Sequence, residues 1–279
     1  MALASQRAGD IMSGESTVPR EPLLRLTGIS RHFGGVRAVD GVDLSVPDGS
    51  LYGLIGPNGA GKTTLLDVVS GFQPATAGET RYRGEVVNRW PAHRLAAAGV
   101  ARTFQTVRLF RGMTVLENVL VGMHSRRRND TLGQVLVLPA LRKAQQARVT
   151  EARRLLDRVG LVNVDDRLAG ELGYAEQRRL EIARALALQP RLLLLDEPAA
   201  GSGPPAAAAL RELLMALNRE GLTMILVEHH LKLVMDTCSD VAVLDFGRLI
   251  ADGAPQDVVD KPEVVEAYLG KEGAAGAAS

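Results

Sequence analysis

From Leu23 to Val46 apolar and polar residues alternate, first in "LLRLTGIS" and again in "VDLSV", with the turn-prone pairs "GG" and "DG" between the runs. A period of two sets one side of a strand against a core and the other in water, so this stretch predicts antiparallel strands. The pattern then changes. "LYGLIG" is a short apolar run ending in glycine, and "KTTLLDVVSG" behind it has helical spacing closed by Gly71. The order there is strand, glycine-rich loop, helix. "ETRYRGEVV" predicts another exposed strand pair, "GVARTFQ" a buried strand, and "TVLENVLVGM" a helix with Val115, Val119 and Met123 on its apolar side. From there to about Val159 the spacing is helical, with a basic, loop-like start and then a long charged helix that offers Val149, Leu155, Leu156 and Val159 for packing.

After Pro190, "RLLLLDEP" is too short for a helix and apolar on both sides, as a central strand of a parallel sheet is. "LTMILVE" and "DVAVLDFG" repeat the type, with the helical stretches "AAAALRELLMALNRE" and "HHLKLVMDTC" between them. Alternating strands and helices predict right-handed crossovers with helices on both faces of the sheet. The fold class is therefore α/β with a β-rich start and a helical insertion between roughly 105 and 160. No internal repeat occurs, and only the alanine-rich end after Gly270 is low in complexity.

Composition narrows the possible partners. With 279 residues, 46% hydrophobic and 23% charged, the chain has material for a buried core, and a net charge of +1 gives no electrostatic footprint for nucleic acid. Arg126–Arg128 is read as a solvated turn, since three charges fall short of a binding patch. A single cysteine, Cys238, excludes an internal disulfide and fits a reducing compartment. No stretch has the apolar run of a signal peptide or a membrane span; residues 1–20 are expected to be a mobile tail, with Met12 an alternative start to Met1.

The strongest chemical signal is "GPNGAGKT", Gly56 to Thr63, which fits G-x-x-x-x-G-K-[ST] and lies between a predicted strand and a predicted helix. With glycine near 7% of residues, chance gives the bare pattern in about 1% of chains this long. The glycines let backbone N–H groups wrap phosphates, Lys62 brings a point charge to the β and γ phosphates, and the Thr63 hydroxyl can ligate Mg²⁺. In "LLLLDEP", Asp196 and Glu197 emerge at the carboxyl end of an apolar strand, the edge where doubly wound sheets bind ligands. There Asp196 would hold Mg²⁺ through water, and Glu197 would polarise an attacking water as general base.

These runs, with "RTFQ", "LGYAEQRRLEIARAL" and "ILVEHH" in the same order, resemble the ATP-binding subunits of ABC transporters. "FGGVRAVDGVDLSV", "RTFQTVRLFRGMTVLENVLVG", "RRLEIARALALQPRLLLLDEPAAG" and "VVEAYLG" look like the branched-chain amino-acid importer branch, and the likeness covers roughly residues 23 to 270. It implies a P-loop NTPase of ABC type: a parallel-sheet core with an antiparallel β subdomain and a helical subdomain of about 105–190, in a cassette of 21–270 with flexible tails at 1–20 and 271–279. It also implies ATP and Mg²⁺ as ligands, a second ATPase subunit, a permease that places the chain at the cytoplasmic face of the membrane, and indirectly a solute-binding protein. ATP would be held by Gly56, Pro57, Asn58, Gly59, Ala60, Gly61, Lys62, Thr63 and Thr64, with the adenine stacked on Phe33. Mg²⁺ would meet Thr63, Gln105 and Asp196. Lys62, Gln105, Glu197 and His229 would act in hydrolysis, His229 as the switch histidine at the γ-phosphate. His230, where the family commonly has Asp, receives no role.

Two departures bear on the partner's ATP. In the family the turn L-S-x-G-Q meets the nucleotide of the opposite subunit through a hydroxyl, a backbone N–H and the helix dipole. Here Leu172 is followed by Gly173, Tyr174, Ala175 and Glu176, and then Gln177. Gly173 lacks the hydroxyl, Ala175 puts a methyl where backbone approaches phosphate, and Glu176 adds negative charge. Gly203 stands where the loop coupling the two ATP sites usually carries Asp or Asn. Importers of this branch commonly pair two different ATPase subunits, which would accommodate a weakened turn. The alternatives are a weakly catalytic or non-catalytic subunit of a heteromeric transporter, and a soluble ABC ATPase outside transport, for which long coiled coils or a second cassette would be expected.

Overall fold

The computed structural model describes residues 21–124, 138–229 and 231–268; the readings for residues 1–20, Arg126–Arg128, His230 and 271–279 fall outside them. The elements follow in the order β1 (Leu24–Phe33), β2 (Val36–Val46), β3 (Leu51–Ile55), α1 (Lys62–Val69), β4 (Ala77–Tyr82), β5 (Glu85–Val86), α2 (Ala92–Ala97) and β6 (Val100–Arg102). Then follow α3 (Val115–His124), α4 (Leu138–Arg158), α5 (Tyr174–Leu186), β7 (Leu192–Asp196), α6 (Pro204–Arg219), β8 (Thr223–Val227), α7 (Leu231–Met235), β9 (Asp240–Asp245), β10 (Arg248–Gly253) and α8 (Pro255–Val259).

Two sheets result. β3, β6, β7, β8 and β9 run parallel in the order β9-β3-β8-β7-β6, with β10 antiparallel at the β9 edge, while β2-β1-β4-β5 form a separate antiparallel sheet. Every residue of β3, β7 and β8 is buried, because alternate side chains enter different cores. Leu193, Leu195, Met224, Leu226, Val241 and Val243 pack with helices α3 to α6. Leu192, Leu194, Ile225, Val227, Ala242 and Leu244 pack with α1 and the inner side of the antiparallel sheet. Only one face of the parallel sheet thus carries a full helical layer. The expected second layer is replaced by a sheet and two short helices, α1 and α2, since the β-rich start has its own apolar side to bury.

Other expectations are corrected in the same way. The "DG" at Asp40–Gly41 is no turn: β2 runs through it, with Ile29 paired to Val42 and Arg31 to Val39, so an extra residue is accommodated as a bulge. Gly41 takes φ 70 there and its N–H donates to Ser30 Oγ at 2.9 Å, which replaces the lost ladder bond. Of the expected exposed pair, β5 is exposed, whereas β4 is half-buried because Thr80 and Tyr82 turn inward. β6 stops at Arg102, since Phe104 N–H leaves the sheet for Glu181 Oε1 at 3.3 Å. α7 ends at Met235, well short of Cys238. The helices α2 and α8 and the edge strand β10 were not anticipated. Cys238 is buried, and burial pushes its thiol up to about 12, which makes it an inert core residue. Among the described residues no helix is long and apolar enough to cross a membrane.

Candidate functional site

The loop from Gly56 to Thr63 leaves β3 at its carboxyl end and feeds α1, which has no side-chain cap on its first turn. Its orphan N–H groups and dipole are therefore available to an anion. Two glycines let the loop lie where it does. At Gly61, with φ 101, a Cβ would stand 2.2 Å from Ala38 O, and at Gly56, with φ 145, it would stand 2.1 Å from Leu244 O. The loop is thereby pressed between the β1–β2 hairpin and β9, and it is pinned there: Gly247 N–H donates to Ala60 O at 2.9 Å and Asp40 N–H to Gly247 O at 2.8 Å. The buried Lys62 ammonium donates to Gly56 O at 2.7 Å and to Pro57 O at 3.0 Å, which centres a positive charge in the ring of the loop.

Facing the loop is a carboxylate held on both oxygens. Glu197 Oε2 accepts from Gln105 Nε2 at 2.9 Å, and Glu197 Oε1 lies 2.5 Å from His229 Nε2. The residue follows β7 with φ 49, a left-handed conformation fixed by its N–H donating to Val227 O at 2.9 Å. Such backbone in a non-glycine residue costs about 1–3 kcal/mol and is found where geometry serves chemistry. Glu197 and Gln105 share a cavity of about 280 Å³ with Asn58, Gly59, Lys62 and Thr63. A fixed carboxylate beside a phosphate-sized, N–H-lined cavity is able to orient and deprotonate water.

Asp196 sits behind it, 1% exposed. Burial holds its carboxyl above the ordinary range, against the partial opposing pull of Arg102, which is bonded to Asp196 Oδ2 at 3.1 Å and to Asp67 Oδ1 at 2.5 Å. Asp196 Oδ1 is buried with no hydrogen-bond partner. An orphaned carboxylate oxygen one residue before Glu197, which lines the cavity with Thr63 and Gln105, suits a small hard cation such as Mg²⁺, which prefers few protein oxygens and completes its shell with water and phosphate.

The predicted residues thus divide. Asn58, Gly59, Ala60, Gly61, Lys62, Thr63, Thr64, Gln105 and Glu197 line the cavity, Gly56 and Pro57 are buried at the root of the loop, and His229 joins through Glu197. Phe33 is 45% exposed near the tip of the β1–β2 hairpin, with the Arg31 guanidinium 4.4 Å from its ring centroid. Gly173, Tyr174, Ala175 and Glu176 do not line this cavity. They form the start of α5, where Gly173 is the N-cap and its N–H donates to Glu176 Oε2 at 2.9 Å. Glu176 also lies 3.7 Å from Arg167 Nη1, so its charge is turned back onto its own helix terminus. Gly203 caps α6 with φ −70, an ordinary conformation that no residue type is barred from.

Sequence reasoning missed Arg102 and Glu228, although both lie in motifs it singled out. Glu228 is 1% exposed; it accepts from Ala199 N–H at 2.7 Å and from His229 N–H at 3.2 Å, bracing the two segments that carry Glu197 and His229. A charged residue closing an apolar strand was the available signal for each.

A phosphate-binding loop after the first parallel strand, an acidic pair at the end of another, and a cavity between them define a nucleotide-hydrolysing P-loop protein with an added β sheet and a helical insertion. The chain belongs to the ABC transporter family as an ATP-binding ATPase: residues 39–200 match the family model for ABC transporters, and residues 248–274 match that for the branched-chain amino acid ATP-binding cassette transporter. It is 42% identical over 251 residues, 90% of this chain and 98% of the relative, to the high-affinity branched-chain amino acid transport ATP-binding protein BraF of Pseudomonas aeruginosa. Identity is also 42% to LivG of Escherichia coli, a protein of the same description, over 90% of this chain and 99% of the relative. A solved ATP-binding cassette of an ABC transporter in its ADP conformation superposes with a TM-score of 0.78 at 33% identity, covering 89% of this chain and 98% of that one.

Proposed function

We propose that the chain hydrolyses ATP to drive a membrane importer of branched-chain amino acids, working as one of two ATPase subunits at the cytoplasmic face of a permease, which a solute-binding protein supplies. The observation that carries the hydrolytic reading is the Glu197 carboxylate fixed between Gln105 and His229 over the phosphate loop. Lys62 and the loop N–H groups receive the β and γ phosphates, and Phe33 offers a face to adenine. Glu197 orients and deprotonates the attacking water, and His229 holds Glu197 while reaching for the γ-phosphate. Mg²⁺, met by Thr63, Asp196 and Gln105, supplies charge neutralisation when bound. One cassette of 21–270 does this work, with a helical subdomain of about 105–190 and flexible ends at 1–20 and 271–279. The permease would dock at a groove of about 490 Å³ lined by Phe104, Arg108, Phe110, Val121 and Arg184. Its exposed Phe110 and Val121 are the apolar contacts a partner helix would cover.

Uptake of labelled leucine, isoleucine and valine by cells lacking this chain tests the reading. Uptake should return with the wild type and not with Lys62→Ala; full uptake without the chain would sink it.

The departures at α5 favour an asymmetric version, in which this chain serves its partner's ATP weakly. A Cβ at Gly173 would meet only Glu176 Oε2, at 3.6 Å, so a serine fits and would both cap the helix and offer its hydroxyl in trans. Gly173→Ser with Ala175→Gly is expected to raise turnover of the assembled ATPase about fivefold, the value of roughly one added hydrogen bond near 1 kcal/mol. Unchanged phosphate release would mean that the native turn is already adequate.

A further inference from the structure

Two charged side chains outside the cavity are buried on α5. Arg178 and Glu181 lie one turn apart, with side chains 4% and 2% exposed, joined at 3.1 Å. Removing two charges from water is costly unless their remaining donors and acceptors are used. Apart from Arg178 Nε, which is buried with no hydrogen-bond partner, these are used chiefly on a single segment, the chain that leaves β6 and carries Gln105. Arg178 Nη1 donates to Phe104 O at 2.5 Å and Nη2 to Gln105 O, while Glu181 Oε1 accepts from Phe104 N–H at 3.3 Å and from Arg108 N–H at 3.4 Å. Burial raises the Glu181 carboxyl above its ordinary range, with the Arg108 N–H and Arg178 acting against it. Arg178 makes one further contact, Nη2 to Tyr174 Oη at 2.8 Å, on the first turn of α5. The backbone on either side of Gln105 is therefore fastened to α5, whereas the Gln105 side chain reaches Glu197 on the sheet at 2.9 Å.

We propose that Arg178 and Glu181 are positioning residues for hydrolysis: together they clamp the Gln105 segment to α5, so that Gln105 stands at Glu197 only while α5 is in place. Tyr174, bonded to the same guanidinium and on the turn assigned above to the opposite subunit's nucleotide, makes that placement answer to the other ATP site. The proposal rests on the hydrolytic role of Glu197 argued above. A fork is needed because one group must span two successive carbonyls and a phenol oxygen at once, which the single ammonium of lysine does not. Simple core packing would use the same burial but would place no demand on turnover.

Steady-state ATP hydrolysis by the full chain, assembled with its partner ATPase, separates these. Arg178→Lys should lower kcat on the order of ten- to a hundredfold with the KM for ATP within about twofold, the signature of a misplaced group away from the bound nucleotide. Arg178→Met with Glu181→Leu guards against misfolding, since exchanging a buried ion pair for apolar side chains of similar volume is often neutral for stability. It should unfold at the wild-type temperature and show the same loss of kcat. In a Gln105→Ala background the Met/Leu pair should cost nothing more, because the clamp acts through Gln105. Wild-type kcat in the well-folded pair variant, a loss that multiplies with Gln105→Ala, or an effect confined to KM would each overturn the clamp. Turnover indifferent to Glu197→Gln would overturn the hydrolytic reading itself and the clamp with it.

Discussion

Glu197→Gln is expected to lower ATP turnover about 10²- to 10⁴-fold, the usual contribution of a general base, and to leave nucleotide affinity within about threefold. The two side chains have nearly the same shape, so the left-handed backbone at φ 49 and the bond from Glu197 N–H to Val227 O are undisturbed. An amide can still meet Gln105 on one side and His229 on the other, where the carboxylate has contacts of 2.9 and 2.5 Å. What disappears is the ability to accept a proton. Lys62, Thr63 and the loop N–H groups stay in place in the variant, with the Lys62 ammonium still held by Gly56 O and Pro57 O, so binding should persist. Phosphate release and nucleotide titration on the same preparation check both halves. A variant that turned over at a tenth of the wild-type rate would move the base elsewhere, and one that lost nucleotide altogether would make Glu197 a binding residue.

Much of this site is legible in the amino-acid sequence, for a physical reason. The phosphate loop, its lysine and the acidic strand end are local patterns: their chemistry requires fixed spacings over a few residues, and the strand before and helix behind each are visible as hydrophobic periods. Gln105 and His229 were readable only through likeness to a family, because a lone amide or imidazole carries no period. Arg102 and Arg178 stayed hidden since their partners are remote: Arg102 meets Asp196 across 94 positions, and Arg178 meets Phe104 across 74. Charged residues on a helix are read as solvated by default, and nothing in "QRRLEIAR" shows which of its charges turn inward. The bulge at Asp40–Gly41 was missed for a related reason. A glycine after an aspartate signals a turn and a bulge alike, and the choice between them is made by Ser30 on the neighbouring strand, which accepts the freed N–H. The face of the sheet covered by a second sheet rather than helices could not be told from the strands either, since a buried strand is equally apolar under both.

Gly61→Ala is expected to abolish measurable ATP binding, weakening it by more than about 100-fold, and to destabilise the fold by roughly 2–4 kcal/mol. Two costs add. Alanine at φ 101 is strained wherever it stands, and its methyl would lie 2.2 Å from Ala38 O, a backbone atom in a hairpin that cannot give way alone. Either the loop lifts off the β1–β2 hairpin or the hairpin shifts, and the bonds that run from Asp40 through Gly247 to Ala60 tie the two together. Lifting the loop displaces the first N–H groups of α1 and the Lys62 ammonium from the positions that receive phosphate. Gly59→Ala separates strain from clash. Its φ is 81, yet a Cβ there has nothing within 4 Å, so it should fold with a loss nearer 1 kcal/mol. Because Gly59 lines the cavity, that variant should still weaken nucleotide binding, by an amount set by the methyl's intrusion on the ligand and not by displacement of the loop. Thermal unfolding with and without ATP distinguishes the pair: Gly61→Ala should melt lower and gain nothing from nucleotide, while Gly59→Ala should melt near the wild type and gain less than it. Full ATP stabilisation of Gly61→Ala would mean that the loop is not held against the hairpin as these contacts require.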